Sequence, residues 1–165
     1  MATQQGSLAL LDDPVAQKLL QSTSPARLAY NWSDGTPRVV PIWFHWNGKE
    51  IVLAGPPDAP KMKVLRDGDK VALTIDSDSM PYKVLTIRGS VRIDSVDGVA
   101  PEYVASSRRV LGDEQGQAWL TQVGPLFKRM GLIFIRPEWV GILDFETRFP
   151  SAVERAMERA MEAGA

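Results

Sequence analysis

Apolar residues between Ala26 and Asp94 come in short runs separated by clusters of Gly, Pro, Asn, Asp and Ser, which is the rhythm of an antiparallel sheet. Ala26 to Trp32 predicts a first strand. Ser33-Asp34-Gly35-Thr36 turns it into a longer one, Arg38 to Trp46. Asn47-Gly48 lies between two apolar runs and predicts a hairpin, because both residues tolerate positive φ. The return strand ends in Gly55-Pro56-Pro57-Asp58-Ala59-Pro60, which cannot continue a sheet. Asp58 suits a helix N-cap and Pro60 an early helical position. Together they predict a short basic helix, Lys61 to Asp67, stopped by Gly68. Lys70 to Asp76 and Lys83 to Asp94 read as further strands, with Ser77 to Tyr82 a polar loop between them. Gly89 marks a bulge or corner in the second.

The flanking segments are helical or loose. Residues 1–11 are expected to be loose. Asp12-Asp13-Pro14 opens a short helix with a stripe of Val15, Leu19 and Leu20, ending near Ser24-Pro25. Pro101 to Leu111 and Glu114 to Val123 predict two helices, interrupted by Gly124-Pro125. Leu132 to Arg136 and Trp139 to Asp144 return to strand, separated by Pro137-Glu138. Ser151 and Glu154 form a capping box that opens a C-terminal helix over residues 151–163. Its apolar side is Val153, Met157, Ala160 and Met161, and its charges form a solvated face. With about six strands, interspersed helices and no βαβ rhythm, the chain predicts one mainly β domain, a β-barrel with accessory helices.

Two local patterns point to a ligand. First, Arg38 to Trp46 is apolar in both phases. Val40, Ile42, Phe44 and Trp46 alternate with Val39, Pro41 and Trp43. A strand half exposed to water would alternate with polar residues, so both faces are expected to be covered. A barrel interior covers one, and a second subunit or a planar ligand covers the other. A symmetric homodimer is therefore expected. Pro41 cannot donate to a ladder, so the strand is interrupted or lies at an edge there. Second, Lys61 and Lys63 sit in or near a helical first turn, where the macrodipole is already positive. An exposed lysine beside free helix amides makes a phosphate site.

Composition narrows the chemistry. The chain has 165 residues, a formal net charge of −1, one histidine and no cysteine. Near-neutral charge supplies no field to recruit nucleic acid. Without cysteine there is no disulfide, thiolate catalysis or thiolate metal site. His45 alone, with no Gly-x-Ser-x-Gly elbow, supports neither a Ser-His-Asp triad nor a zinc or non-haem iron centre, so no metal is expected. No Walker or dinucleotide-binding glycine motif occurs. No apolar run has the length of a membrane span, and the N-terminus lacks the features of a signal peptide, so a cytoplasmic protein is expected. No residue stands out as a general acid or base.

What remains is Arg38, the doubly apolar strand and the basic helix. A planar aromatic ligand with a phosphate tail would satisfy all three, its ring along the strand and its phosphate on Arg38 and Lys61. At this point the chain resembles the pyridoxamine 5'-phosphate oxidase-like family of flavin-binding split barrels. The resemblance is carried by Asp34-Gly35-Thr36-Pro37-Arg38-Val39-Val40-Pro41-Ile42-Trp43-Phe44, by Asn47-Gly48, by Pro60-Lys61-Met62-Lys63-Val64-Leu65-Arg66, and by Ile87-Arg88-Gly89-Ser90-Val91. It implies a homodimeric split barrel of about six strands. It also implies FMN, or a deazaflavin, at the subunit interface, and a flavin-dependent oxidoreductase acting on a small molecule. It carries over Arg38, Val39, Val40, Pro41, Trp43, Pro60, Lys61 and Lys63 as cofactor residues. Tyr103, Arg108 and Arg109 fall where such oxidases bind substrate phosphate. The oxidases themselves have lysine where this strand has Trp43, Arg-Lys in place of Pro60-Lys61, and a C-terminal Arg-x-His that this chain lacks. These departures turn the reading away from pyridoxine phosphate. A non-catalytic flavin- or haem-binding protein is the rival, with His45 the one histidine available to a haem.

Overall fold

The computed structural model describes residues 4–164. Its centre is a seven-stranded antiparallel sheet in the order β2-β1-β5-β6-β7-β4-β3. The strands are β1 (Ala26–Asn31), β2 (Pro37–Ile42), β3 (His45–Trp46), β4 (Ile51–Gly55), β5 (Lys70–Asp76), β6 (Val84–Asp97) and β7 (Arg129–Leu143). The helices are α1 (Pro14–Leu20), α2 (Pro60–Val64), α3 (Pro101–Leu111), α4 (Asp113–Val123) and α5 (Ser151–Gly164). The sheet is open among the described residues, with β2 and β3 at its ends and no ladder between them. An open sheet of seven strands therefore stands where a split barrel of about six was expected.

Strand boundaries also differ from the expected ones at two places. The expected strand Arg38 to Trp46 divides into β2 and β3 at Trp43-Phe44. Phe44 is wholly buried in the core, so the chain bends inward there instead of continuing along the sheet. Conversely, the two expected C-terminal strands fuse into β7. Arg88 pairs with Trp139 and Gly89 with Pro137, which leaves Glu138 as a bulged residue. Pro137 has no N–H to donate, and Gly89 lets the β7 backbone approach. A Cβ on Gly89 would lie 2.1 Å from the Arg136 carbonyl oxygen. Glu138, turned out by the bulge, accepts from Lys70 Nζ at 2.7 and 2.9 Å.

The main core lies on one face of the sheet. Leu28, Leu73, Ile75, Leu85, Ile87, Ile133, Ile135 and Ile142 are buried against Leu10, Leu19 and Leu20 of the N-terminal segment. On the opposite face Val52, Met130 and Leu132 pack with Ala100 at the start of α3. β7 is thus covered on both sides, which is why Met130 to Ile135 shows no alternation of burial.

Three terminal or capping expectations change. The stretch 1–11, expected to be loose, is docked from Gln5 onward. The Gln5 side chain donates to Ile142 O (2.6 Å) and accepts from Ile142 N (2.9 Å), and Leu10 is wholly buried. Residues 1–3 lie outside the described residues. α2 is shorter than expected, ending at Val64 because Leu65 turns extended and is buried, and its N-cap is Ala59 and not Asp58. At α5, Glu154 reaches back to the N–H of Phe149 (3.1 Å), two residues before Ser151. Every residue of α5 described is exposed, including Val153, Met157 and Met161.

Candidate functional site

β2 lies at one end of the sheet and pairs only with β1, with Arg38 opposite Tyr30 and Pro41 opposite Arg27. An edge is where proline is tolerated in a sheet. Val40 and Ile42 turn toward the core and are half-buried. Val39 turns away and is 65% exposed, and Pro41 is exposed on the same side. The cover expected on both faces is therefore present within one chain on the inner face only.

Of the predicted cofactor residues, Lys63 lines one hollow and Pro41 and Trp43 another, while Arg38, Val39, Val40, Pro60 and Lys61 line neither. At the start of β2 the Arg38 guanidinium stacks 4.3 Å over Trp32. Trp32 and Lys63 line a polar hollow of about 430 Å³ together with Arg66, Asp69 and Lys70. At the other end of β2, Pro41, Ile42 and Trp43 line an open cleft of about 460 Å³ with Pro25, Ala54, Tyr103 and Trp119. Trp43 and Trp119 meet edge to face, with centroids 6.2 Å apart at 66°. Trp119 Nε1 donates to Tyr103 Oη at 3.1 Å. Ala54 lies on β4, which leads through the Pro56-Pro57 loop into α2.

α2 carries Pro60, Lys61 and Lys63. Five residues with a proline at the start leave little macrodipole and few free amides, so the helix terminus itself is a weaker anion site than expected. The lysines matter individually. They are two positions apart, about 200° round the helix, so they face different ways. Lys63 is exposed and belongs to the Trp32 hollow. Lys61, expected to be exposed, is half-buried, and burial holds its pKa below the usual lysine value. Among the described residues no carboxylate lies within 4.0 Å of it.

The three residues expected at a substrate phosphate are not brought together. Tyr103 faces the cleft. Arg108 is exposed and donates to Gln117 Oε1 (3.1 Å). Arg109 is drawn inward. It donates to Ser22 O and to Phe44 O (2.8 Å), and its guanidinium lies 4.1 Å over the Phe44 ring. Burial without a carboxylate partner pushes it down to about 10, which still leaves it charged at neutral pH. Arg109 thus ties α3 to the bend that separates β2 from β3. Sequence reasoning missed Trp119, Ala54 and Pro25, and it left Ile42 out of the predicted site. A tryptophan in the short helix α4 was the available signal for Trp119, and nothing marked Ala54 or Pro25.

The chain belongs to the pyridoxamine 5'-phosphate oxidase family, whose model matches residues 13–144. It matches no curated protein sequence. Its fold is similar to that of an F420 reductase, at 24% identity and a TM-score of 0.58, covering 76% of this chain and 94% of that one. It is also similar to an FAD and haem binding protein from Mycobacterium smegmatis (21%, TM-score 0.56, 92% and 78% covered). A third similar structure is a protein related to general stress protein 26, of the pyridoxinephosphate oxidase family, from Clostridium acetobutylicum (16%, TM-score 0.53, 82% and 88% covered). No described helix is long and apolar enough to cross a membrane.

Proposed function

We propose that this chain is a flavin-dependent oxidoreductase, acting as a homodimer on a small molecule, that binds FMN along the exposed edge of β2 with its phosphate on Lys61. The observation that carries the reading is Lys61 itself. It is half-buried, its charged form is disfavoured by burial, and no carboxylate neutralises it. A phosphate would supply the missing counter-charge. The uncovered Val39–Pro41 strip would offer a planar ring an apolar surface, and a second subunit, or its exposed α5, would close that surface. When bound, the isoalloxazine supplies the hydride chemistry, while the chain binds and orients it.

The first test is the absorption spectrum of the purified protein, in which flavin, deazaflavin and haem have different bands. The second compares FMN with riboflavin, which lacks the phosphate. Lys61→Ala removes one charge-assisted contact of about 1.5–3 kcal/mol, roughly tenfold to somewhat over a hundredfold in Kd. FMN should weaken by that much and riboflavin hardly at all, while Lys63→Ala weakens neither strongly. Equal loss for both ligands removes Lys61 from the phosphate. The sign with pH follows. FMN affinity is full while Lys61 is protonated and falls as pH rises through its lowered pKa; riboflavin affinity stays flat. Sedimentation of a flavin-loaded monomer at micromolar concentration would refute the dimer.

A further inference from the structure

The aromatic cleft at the end of β2 shares Pro41 with the proposed flavin strip, but its uncharged lining is a feature the flavin reading leaves open. None of its lining residues, Pro25, Pro41, Ile42, Trp43, Ala54, Tyr103 and Trp119, carries a charge. The two nearby arginines of α3 are committed elsewhere, Arg109 to backbone carbonyls and Arg108 to Gln117. A carboxylate or phosphate ester entering here would exchange part of its hydration for apolar walls and gain no cation. The walls favour a flat apolar body, because Trp43 and Trp119 present aromatic surface in an edge-to-face pair.

One polar group faces into this apolar setting. Tyr103 Oη already accepts from Trp119 Nε1, and among the described residues its O–H donates to no other protein group. The accepted bond fixes the ring pair and polarises the Tyr103 O–H outward as a donor. An occupant that offers an acceptor would take this bond from water.

We propose that this cleft binds the substrate of the flavin reaction as a planar, uncharged molecule whose carbonyl oxygen accepts from Tyr103, and not as a phosphate ester. The substrate role rests on the flavin reading above; the binding preference stands on the cleft alone.

Three naphthalenes of one shape test it: 2-acetylnaphthalene, 2-ethylnaphthalene and 2-naphthoate. Binding is measured by calorimetry on the full chain, as purified and again with saturating FMN. The acetyl compound should bind at least about tenfold tighter than the carboxylate. Tyr103→Phe should weaken the acetyl compound about two- to tenfold and leave the ethyl compound unchanged. Trp43→Ala should weaken both neutral compounds, and Trp119→Leu provides the same reading should Trp43→Ala fail to fold. Naphthoate binding as tightly as the acetyl compound would overturn the proposal. So would equal effects of Tyr103→Phe on both neutral compounds, or no binding of either in either preparation. If FMN displaces the acetyl compound, the flavin ring owns the cleft and the substrate assignment falls. If the acetyl compound binds as expected but FMN does not bind at all, the flavin reading and the substrate role fall, while the cleft's preference for a neutral carbonyl compound stands.

Discussion

Arg109→Leu should destabilise the fold through the bend at Phe44. The guanidinium holds two backbone carbonyls, of Ser22 and Phe44, and stacks 4.1 Å over the Phe44 ring. Leucine leaves both carbonyls without a donor, about 1–2 kcal/mol each. It also forfeits a cation–π contact of about 1 kcal/mol. Against this, it relieves the cost of a buried cation whose Nε has no acceptor of its own. The net loss should be about 2–4 kcal/mol, or roughly 5–15 °C in Tm for a chain of this size. Arg109→Lys keeps the charge but not the fork, and should recover less than half of the loss. The control is the next residue. Arg108 is exposed with one hydrogen bond to Gln117, and Arg108→Leu should stay within about 0.5 kcal/mol. Both changes place leucine in the same helix, so propensity cancels in the comparison. Thermal and urea melts measure it. If Arg109→Leu melts within about 2 °C of the parent, or no lower than Arg108→Leu, the staple is not what holds the bend.

Gly89→Ala sets a Cβ 2.1 Å from the Arg136 carbonyl oxygen in the β6–β7 ladder and should cost more than about 3 kcal/mol; an unchanged urea midpoint would mean the bulge moves freely. Arg148→Met removes a 2.6 Å pair with Asp13 whose side chains are only 19% and 16% exposed, and should cost about 2–3 kcal/mol in a chemical melt; a smaller cost for Arg148→Met than for an exposed control such as Arg27→Met would show that the pair adds nothing. Burial raises the Asp144 pKa, but the Thr147 hydroxyl and the N–H groups of Glu146, Thr147 and Arg148 outweigh it and hold the carboxyl well below the usual range. A depressed carboxylate stabilises the fold above its unfolded pKa of about 3.9 and loses that contribution as pH falls toward the folded value. Urea midpoints should therefore drop from about pH 5 downward, and drop less in Asp144→Asn, with parallel profiles refuting the assignment.

Much of the sheet could be read because its signals are local. Gly35 and Gly48 take the positive φ that their turns demand, at 83° and 90°. Pro41 sits at an edge strand because it has no N–H for a second neighbour. Gly89 marked the position of a bulge for a similar reason, though the extra residue, Glu138, lies on the facing strand. What it opposes was not recognisable. Taken alone, Pro137 ends a strand. It is absorbed into β7 only because a residue without a side chain lies across from it, and that is a fact about pairing between distant segments.

The candidate site follows the same division. Residue types along β2 suggested a face covered by a planar ligand or a second subunit, and within this chain Val39 and Pro41 are uncovered. Direction could not be read from adjacent positions. Arg108 and Arg109 are neighbours with the same chemistry, yet about 100° of helix separates a solvated side chain from one buried on the Phe44 carbonyl. Lys61 and Lys63 divide in the same way. The cleft needed even more of the fold, since Trp43 follows β2, Tyr103 is on α3 and Trp119 is on α4. No spacing rule links these three. Their meeting depends on the Phe44 bend, which turns the chain at Trp43, and on Arg109, which pins α3 to that bend. Arg109, one of the three residues expected at a substrate's phosphate, is engaged behind the cleft on the Ser22 and Phe44 carbonyls, and the cleft lining holds no cation.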